Sequence, residues 1–393
     1  MGPLSGYRVL DLSRVLAGPW ASQTFADLGA EVIKIERPGK GDDTRAWGPP
    51  FVAASGISAY FCAANRGKKS VTVDMQHPEG QGLIKRLAEH ADVVLENFKF
   101  GGLAKLGLGP EDLLALNPRL VYCSITGFGQ TGPYRARAGY DFLMQGMGGL
   151  MSVTGAPDGE PMKAGVAVVD VLTGLYASNA VMAALLERER SGLGQHIDLA
   201  LFDVQIAAMA NQVSSYLVSG EQPPRLGNAH PSIVPYQVFP TQDGHIILAI
   251  GNDDQFARFV TLAGAPELSQ DERFATNPAR VQHRTILVPL LEALLAARTT
   301  KDWTEALEAF GIPGGPINDF ADIDADPQVQ ARGIFKPLAP GLRGVASPMR
   351  FSRSEVQDNR PPPQLGADTS EVLGSILELS EGELARLRQG KII

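Results

Sequence analysis

Asp170 stands where the apolar run Gly165-Val-Ala-Val-Val169 meets a helical pattern that continues to about Arg190. A carboxylate at that junction can cap the helix by accepting from its first free backbone amides, which on position alone is the stronger reading. It can also act as a nucleophile, with the same amides stabilising negative charge on it and on oxyanions formed at it. The two roles compete for the same lone pairs. Tyr140 and Asp141 form a second polar pair inside an apolar, glycine-rich stretch, where a buried tyrosine with its hydroxyl satisfied is the plainer account. His230 lies close to Pro231, and a lone histidine near prolines is more often a loop hydrogen-bonder than a site residue. Between Lys34 and Lys69 the cations Lys34, Arg37, Lys40, Arg45, Arg66, Lys68 and Lys69 outnumber Glu36, Asp42 and Asp43. This concentration either meets a phosphate-rich ligand or is a set of solvated loop charges, and Lys99 and Lys105 extend it.

Familiar motifs account for little of this. Gly127-Phe-Gly-Gln-Thr-Gly132 fits the dinucleotide pattern, but Pro133 follows it and it falls late, outside the first βα turn. That first turn, Leu16-Ala-Gly-Pro19, lacks the fingerprint, so a Rossmann-like shape is expected without a nicotinamide cofactor. Asn65 to Ser70 resembles the tail of a P-loop, yet Cys62 replaces its first glycine and Lys69 its magnesium-binding hydroxyl. No nucleophile elbow, zinc-protease helix or calcium loop is present, and Cys62 and Cys123 have neither disulfide nor zinc spacing. No metal is expected, and the cysteine usage together with an N-terminus lacking a secretory pattern points to a reducing, cytoplasmic location.

The elements that would hold these residues follow from periodicity. Strands are predicted at Tyr7 to Leu12, Glu31 to Ile35, Ser70 to Val73, Asp92 to Leu95 and Leu120 to Ile125. Helices are predicted between them at Pro19 to Leu28, Gly80 to Glu89 and Pro110 to Leu116, so the fold class is α/β with an open, mostly parallel sheet. Long helices follow at Asp170 to about Arg190 and about Leu201 to Val218, then a hairpin over Tyr236 to Ile250 turning at Asp243-Gly244. Further helices at Asp254 to Leu262, Arg284 to Ala297 and Thr300 to Phe310 complete a smaller α+β domain. A proline-rich segment then leads to a C-terminal helix near Thr369, capped by Asp368 or Thr369. The division is 1–225 for the first part of a large domain, 226–330 for the small one, and 331–393 for a tail returning to the large one. With 393 residues, 44% hydrophobic and 20% charged, the chain can bury a substantial core, which excludes disorder as the default. No uninterrupted apolar run approaches the roughly 18 residues of a membrane span, and a net charge of -8 disfavours nucleic acid.

Six motifs together resemble the class III CoA-transferases, the formyl-CoA transferase family: Arg14-Val-Leu-Ala-Gly-Pro19, Gly29-Ala-Glu-Val-Ile-Lys-Ile-Glu-Arg37, Gly41-Asp-Asp-Thr-Arg45, Asn65-Arg-Gly-Lys-Lys-Ser70, Glu96-Asn-Phe98 and Ser124-Ile-Thr-Gly-Phe-Gly-Gln-Thr-Gly-Pro133. Within that family the chain looks most like succinyl-CoA:dicarboxylate CoA-transferases acting on glutarate or hydroxymethylglutarate. The resemblance implies that Asp170 is the catalytic aspartate, passing through an aspartyl anhydride and an aspartyl-CoA thioester, and that Tyr140 also belongs to the catalytic site. It implies coenzyme A, carried as an acyl-CoA substrate, at Val15, Ala17, Arg37, Lys68, Asn97, Phe98 and Lys105, and a carboxylic acid as second substrate. Arg45, assisted by Tyr140 or His230, is proposed to hold the acid's remote carboxylate. Leu16 stands where formyl-transferring members carry glutamine, which argues for another acid. Gly251 to Gln255, keeping one glycine, corresponds to the family's lid. The family architecture implies a Rossmann-like large domain, a smaller domain and an interlocked homodimer. Two other readings stay open: a proton transfer like that of the α-methylacyl-CoA racemases, whose histidine position is Tyr140 here, and a non-catalytic acyl-CoA binding protein.

Overall fold

A computed structural model describes residues 1–393. Six strands form one parallel sheet: β1 (Arg8–Asp11), β2 (Glu31–Glu36), β3 (Lys69–Thr72), β4 (Val93–Glu96), β5 (Val121–Thr126) and β6 (His196–Ala200). Their order is β3-β2-β1-β4-β5-β6. β4 and β5 are buried along their whole length, which is why they read as continuous apolar runs and not as alternating ones. β6 was not expected; it is a short edge strand whose outer residues stay partly exposed, so its sequence carries little apolar signal.

One face of the sheet is covered by α1 (Ala17–Asp27), and the other by α2 (Pro78–Glu89) and α3 (Pro110–Leu116). α4 (Asp141–Met147) precedes α5 (Val168–Ser191), which is long and apolar enough to cross a membrane. In the fold its stripe of Val169, Ala177, Val181, Ala184 and Leu185 packs with Ala21 and Phe25 of α1 instead. The single helix expected from Leu201 to Val218 is two, α6 (Leu201–Ala208) and α7 (Ala210–Ser219). The break comes at Met209 and Ala210, the latter in the left-handed region at φ 43°.

The chain packs into two compact units. The first comprises Met1–Leu150, Lys163–Leu217 and Gln328–Ile393; the second comprises Met151–Met162 and Val218–Pro327. The division thus falls before the proline-rich linker at 221–225, and a separate twelve-residue stretch joins the second unit. That second unit has its own core around Phe239, Phe256, Phe259, Leu291 and Trp303. It carries the antiparallel pair β7 (Tyr236–Pro240) and β8 (His245–Ala249), the short β9 (Gly314–Pro316), and α8 (Asp253–Leu262), α9 (Arg284–Leu295) and α10 (Thr300–Ala309).

In the first unit, the hairpin β10 (Phe335–Ala339) and β11 (Leu342–Val345) precedes α11 (Thr369–Leu377) and α12 (Glu381–Gln389). Val372, Leu373, Leu384 and Leu387 close over Leu83, Ile84 and Leu87 of α2. Asp368 is the N-cap residue of α11, but its side chain makes no capping bond to the helix. The Asp368 carboxylate accepts from Ser70 N at 2.7 Å and Thr369 Oγ1 accepts from Thr72 N at 2.9 Å, so both pin the tail to β3.

Candidate active site

The strand order reverses its direction of growth between β1 and β4, the place where ligands meet the C-terminal ends of such sheets. The loop after β1 is unusual there. Val15 sits at φ 69°, a conformation that costs a β-branched residue ~1–3 kcal/mol and persists only where its surroundings enforce it. Those surroundings are visible. Val15 N donates to both oxygens of Asp42 at 3.3 Å, while Asn97 grips the Arg14 backbone from both sides, accepting from its N at 2.8 Å and donating to its O at 2.6 Å. Beneath, Lys34 Nζ donates to Ser13 O at 2.8 Å and pairs with Asp42 at 2.9 Å. Gly18 is required by close approach: a Cβ there would lie 2.3 Å from the Ser13 side chain.

Asp170 is the third residue of α5 and not its cap. The capping work is done by Asp141, whose Oδ1 accepts from Val169 N at 2.8 Å and Asp170 N at 3.3 Å. Asp141 is held in turn by the fully buried Gln145, which donates to Asp141 Oδ2 at 2.6 Å and accepts from Ala164 N at 2.8 Å. This resolves the competition foreseen for Asp170. A neighbour occupies its amide, and its own carboxyl lines a cavity of about 150 Å³ with Val15, Ala17, Asn97, Phe98 and Tyr140. Burial, and then the charge of Asp141, push the Asp170 carboxyl up to about 7. Tyr140 is 70% exposed, contrary to the buried tyrosine its surroundings suggested.

A second cavity of about 330 Å³ shares Arg14, Asp43 and Phe98 with the first and is lined by Arg37, Lys40 and the stretch Val73 to Gln76. That stretch was missed; only its position after β3 could have signalled it. Lys99, expected to extend the cationic face, lines the Asp170 cavity, and so do Arg135 and Arg137, which were missed together with Tyr60, whose hydroxyl is pushed up by burial and then by the charges of Asp170 and Asp141.

Several expected ligand contacts are corrected. Lys68 is completely buried and spends its donors on Asp11 at 3.2 Å, Pro19 O at 3.0 Å and Asn65 Oδ1 at 2.9 Å. Burial brings its ammonium down to about 8, against the opposing charge of Asp11. Arg45 is equally occupied: it grips Glu36 through two bonds of 2.7 Å, donates to Pro363 O at 3.2 Å, and stacks 3.8 Å from the Phe61 ring. Its donors are therefore engaged within the fold. The basic stretch from 34 to 69 is mostly internal, since Arg66 pairs with Asp27 at 2.5 Å and Lys69 with Glu31 at 3.0 Å. Arg37 is the member left facing a cavity without a carboxylate partner. Carboxylates pair with the others: Asp42, Asp43 and Glu36 from within the stretch take Lys34, Lys40 and Arg45, and Asp27, Asp11 and Glu31 from outside it take Arg66, Lys68 and Lys69. Lys105 lines neither cavity. His230 lies in the second unit, where its Nδ1 accepts from Ser232 N at 3.1 Å. In Gly251 to Gln255, Asn252 caps α8 by accepting from Gln255 N at 2.9 Å, and Gln255 Oε1 accepts from Gly251 N at 2.8 Å.

Comparison with known proteins gives this geometry a context. A family model described as CoA-transferase family III matches residues 4–369. A succinate–glutarate CoA-transferase of Agrobacterium fabrum is 53% identical over 382 residues, 95% of this chain and 96% of that protein. A succinyl-CoA:glutarate CoA-transferase of Mus musculus is 45% identical over 98% of this chain and 89% of its own. The crystal structure of a CaiB/BaiF family protein from Brucella suis superposes with a TM-score of 0.86 at 51% identity, covering 95% of this chain and 99% of that one. With an aspartate lining the cavity and this likeness along nearly its whole length, the chain belongs to CoA-transferase family III.

Proposed function

We propose that the enzyme moves CoA from succinyl-CoA to a dicarboxylic acid, glutarate foremost, with Asp170 as the nucleophile. The observation that carries this is the Asp170 carboxyl itself: half-buried, lining the cavity, fixed by its helix, and free of any protein donor that would blunt it. Its ionised form attacks the thioester carbonyl, forming the aspartyl anhydride and releasing CoA thiolate. The thiolate attacks the aspartyl carbonyl, giving the aspartyl-CoA thioester and succinate. Glutarate then attacks that thioester, and the thiolate takes the glutaryl group from the resulting anhydride, regenerating Asp170. The thioester bond energy is conserved in each covalent form, provided water is kept out.

The shared wall of Arg14 and Phe98 supports a path for CoA from the Asp170 cavity into the cavity with Arg37 and Lys40, where phosphates would find cations. A homodimer, interlocked as in the family, is supported by apolar side chains left exposed in the first unit: Leu175, Tyr176 and Leu186 of α5, and Tyr216 and Leu217 of α7. Two free cysteines, the half-buried Cys62 and the buried Cys123, support a reducing, cytoplasmic location.

Mass spectrometry after mixing with succinyl-CoA and trapping with hydroxylamine or borohydride tests the route. Modification confined to the peptide carrying Asp170 is expected. No adduct, together with exchange of the acyl α-proton into deuterated water, would replace transfer with the racemase-like reading.

A further inference from the structure

The loss of Arg45 as a candidate leaves the remote carboxylate of a dicarboxylate without a partner, and the Asp170 cavity offers another. Its wall carries Arg14, Arg135 and Arg137. Arg14 is engaged, pairing with Asp43 at 3.2 Å and lying 5.1 Å from the Phe98 ring. Arg135 and Arg137 have no carboxylate partner. Each is instead laid against an aromatic ring: Arg135 lies 4.9 Å from the centre of Phe100, and Arg137 lies 4.5 Å from Tyr134 and 5.4 Å from Phe128.

A guanidinium held over an aromatic ring spends its charge on the ring without giving its N–H groups a hydrogen-bond acceptor of the carboxylate kind, so they keep their capacity to donate. A guanidinium oriented in this way is prepared to take a carboxylate through two parallel hydrogen bonds, with less freedom to lose than an unsupported side chain. Two such groups, two residues apart on the Thr131 to Ala138 segment, border the cavity that Asp170 also lines.

We propose that Arg137, with Arg135 two residues before it, receives the far carboxylate of the acid chain and so selects dicarboxylic acids and their monothioesters. The proposal rests on the CoA-transfer reading of the same cavity. Phosphates of CoA are the competing anions for these arginines, and the test separates the two.

Transfer from succinyl-CoA is measured for the wild type, Arg137→Gln and Arg137→Lys with glutarate as acceptor. Pentanoate, the same chain without the second carboxylate, is read as a competitive inhibitor against glutarate, so that it needs no turnover. Affinity for free CoA is measured by calorimetry. Arg137→Gln is expected to raise the KM for glutarate roughly tenfold or more, the usual effect of removing a charge-assisted hydrogen bond. The Ki of pentanoate and the Kd of CoA should stay within about twofold of wild type. Arg137→Lys, which keeps the charge and loses the fork, should fall between. Weakening of pentanoate by the same factor, weakening of CoA, or an unchanged KM for glutarate would each overturn the assignment. If the wild type transfers CoA to no acid at all, the transfer reading fails first and this inference falls with it; an active wild type with an indifferent Arg137→Gln removes this inference alone.

Discussion

At the scale of single residues, the proposed transfer depends on the proton of Asp170. A carboxyl held near 7 by burial and by Asp141 is only partly ionised at neutral pH, so attack on the thioester should quicken as pH rises through 7. Asp141→Asn removes one of the two causes and can still accept from the helix amides. The acid limb of kcat/KM for succinyl-CoA is expected to move to lower pH in that variant; an unmoved limb would mean that Asp141 does not tune its neighbour. Asp170→Asn should cost ~10³-fold or more in transfer. The same substitution has a stability consequence of definite sign. Because the folded state holds the Asp170 proton more tightly than the unfolded chain, burial of this group costs nothing below about pH 4. The cost grows as pH rises toward 7 and is complete above it. Asp170→Asn should therefore melt above wild type at pH 8, with the gap closing by pH 4, as thermal denaturation across pH would show.

Among elements, the loop after β1 is the part most dependent on its neighbours. Its strained Val15 is held by Asp42 from the segment after β2, and its Arg14 peptide by Asn97 from the end of β4. Below them, Lys68 and Lys34 neutralise Asp11 and Asp42, all four side chains fully buried. Burial would raise the Asp11 carboxyl, but Lys68 and Lys34 hold it below the ordinary carboxylate range. Breaking such a pair strands a buried charge, which costs about 3–5 kcal/mol. Lys68→Met is accordingly expected to lower stability by that amount in urea unfolding. A role in binding CoA phosphate predicts the opposite pattern, a higher KM for succinyl-CoA on an undisturbed fold.

For the whole molecule, the last 25 residues belong to the core of the first unit even though they are the farthest from it in sequence. Leu373, Leu384 and Leu387 cover the α2 side of the sheet, and Ile392 O accepts from Asp74 N at 2.7 Å. A chain ending at Asp368 should lose cooperative thermal unfolding and expose apolar surface, visible as binding of a hydrophobic dye. The exposed Leu175, Tyr176, Leu186 and Leu217 predict a particle near twice 41.9 kDa by light scattering. A mass of one chain would leave those residues without the cover the proposed dimer gives them.

The sequence by itself determined the parallel sheet, because strands buried on both faces must be apolar throughout, and the helices between them, because one face of each must be apolar. It also marked Asp170, through an acidic residue at a boundary that apolar residues otherwise define. Tertiary structure alone decided which charges are free. Lys68 and Asp11 are 57 positions apart, Arg45 and Pro363 318, and Asp141 and the amide of Val169 28. Local periodicity records which face of an element is buried, but not which distant group it meets there. A lysine neutralised inside the fold and an arginine without a carboxylate partner at a cavity wall therefore look alike until the chain is folded, which is why the sequence motifs point to Lys68 and Arg45 and not to Arg137.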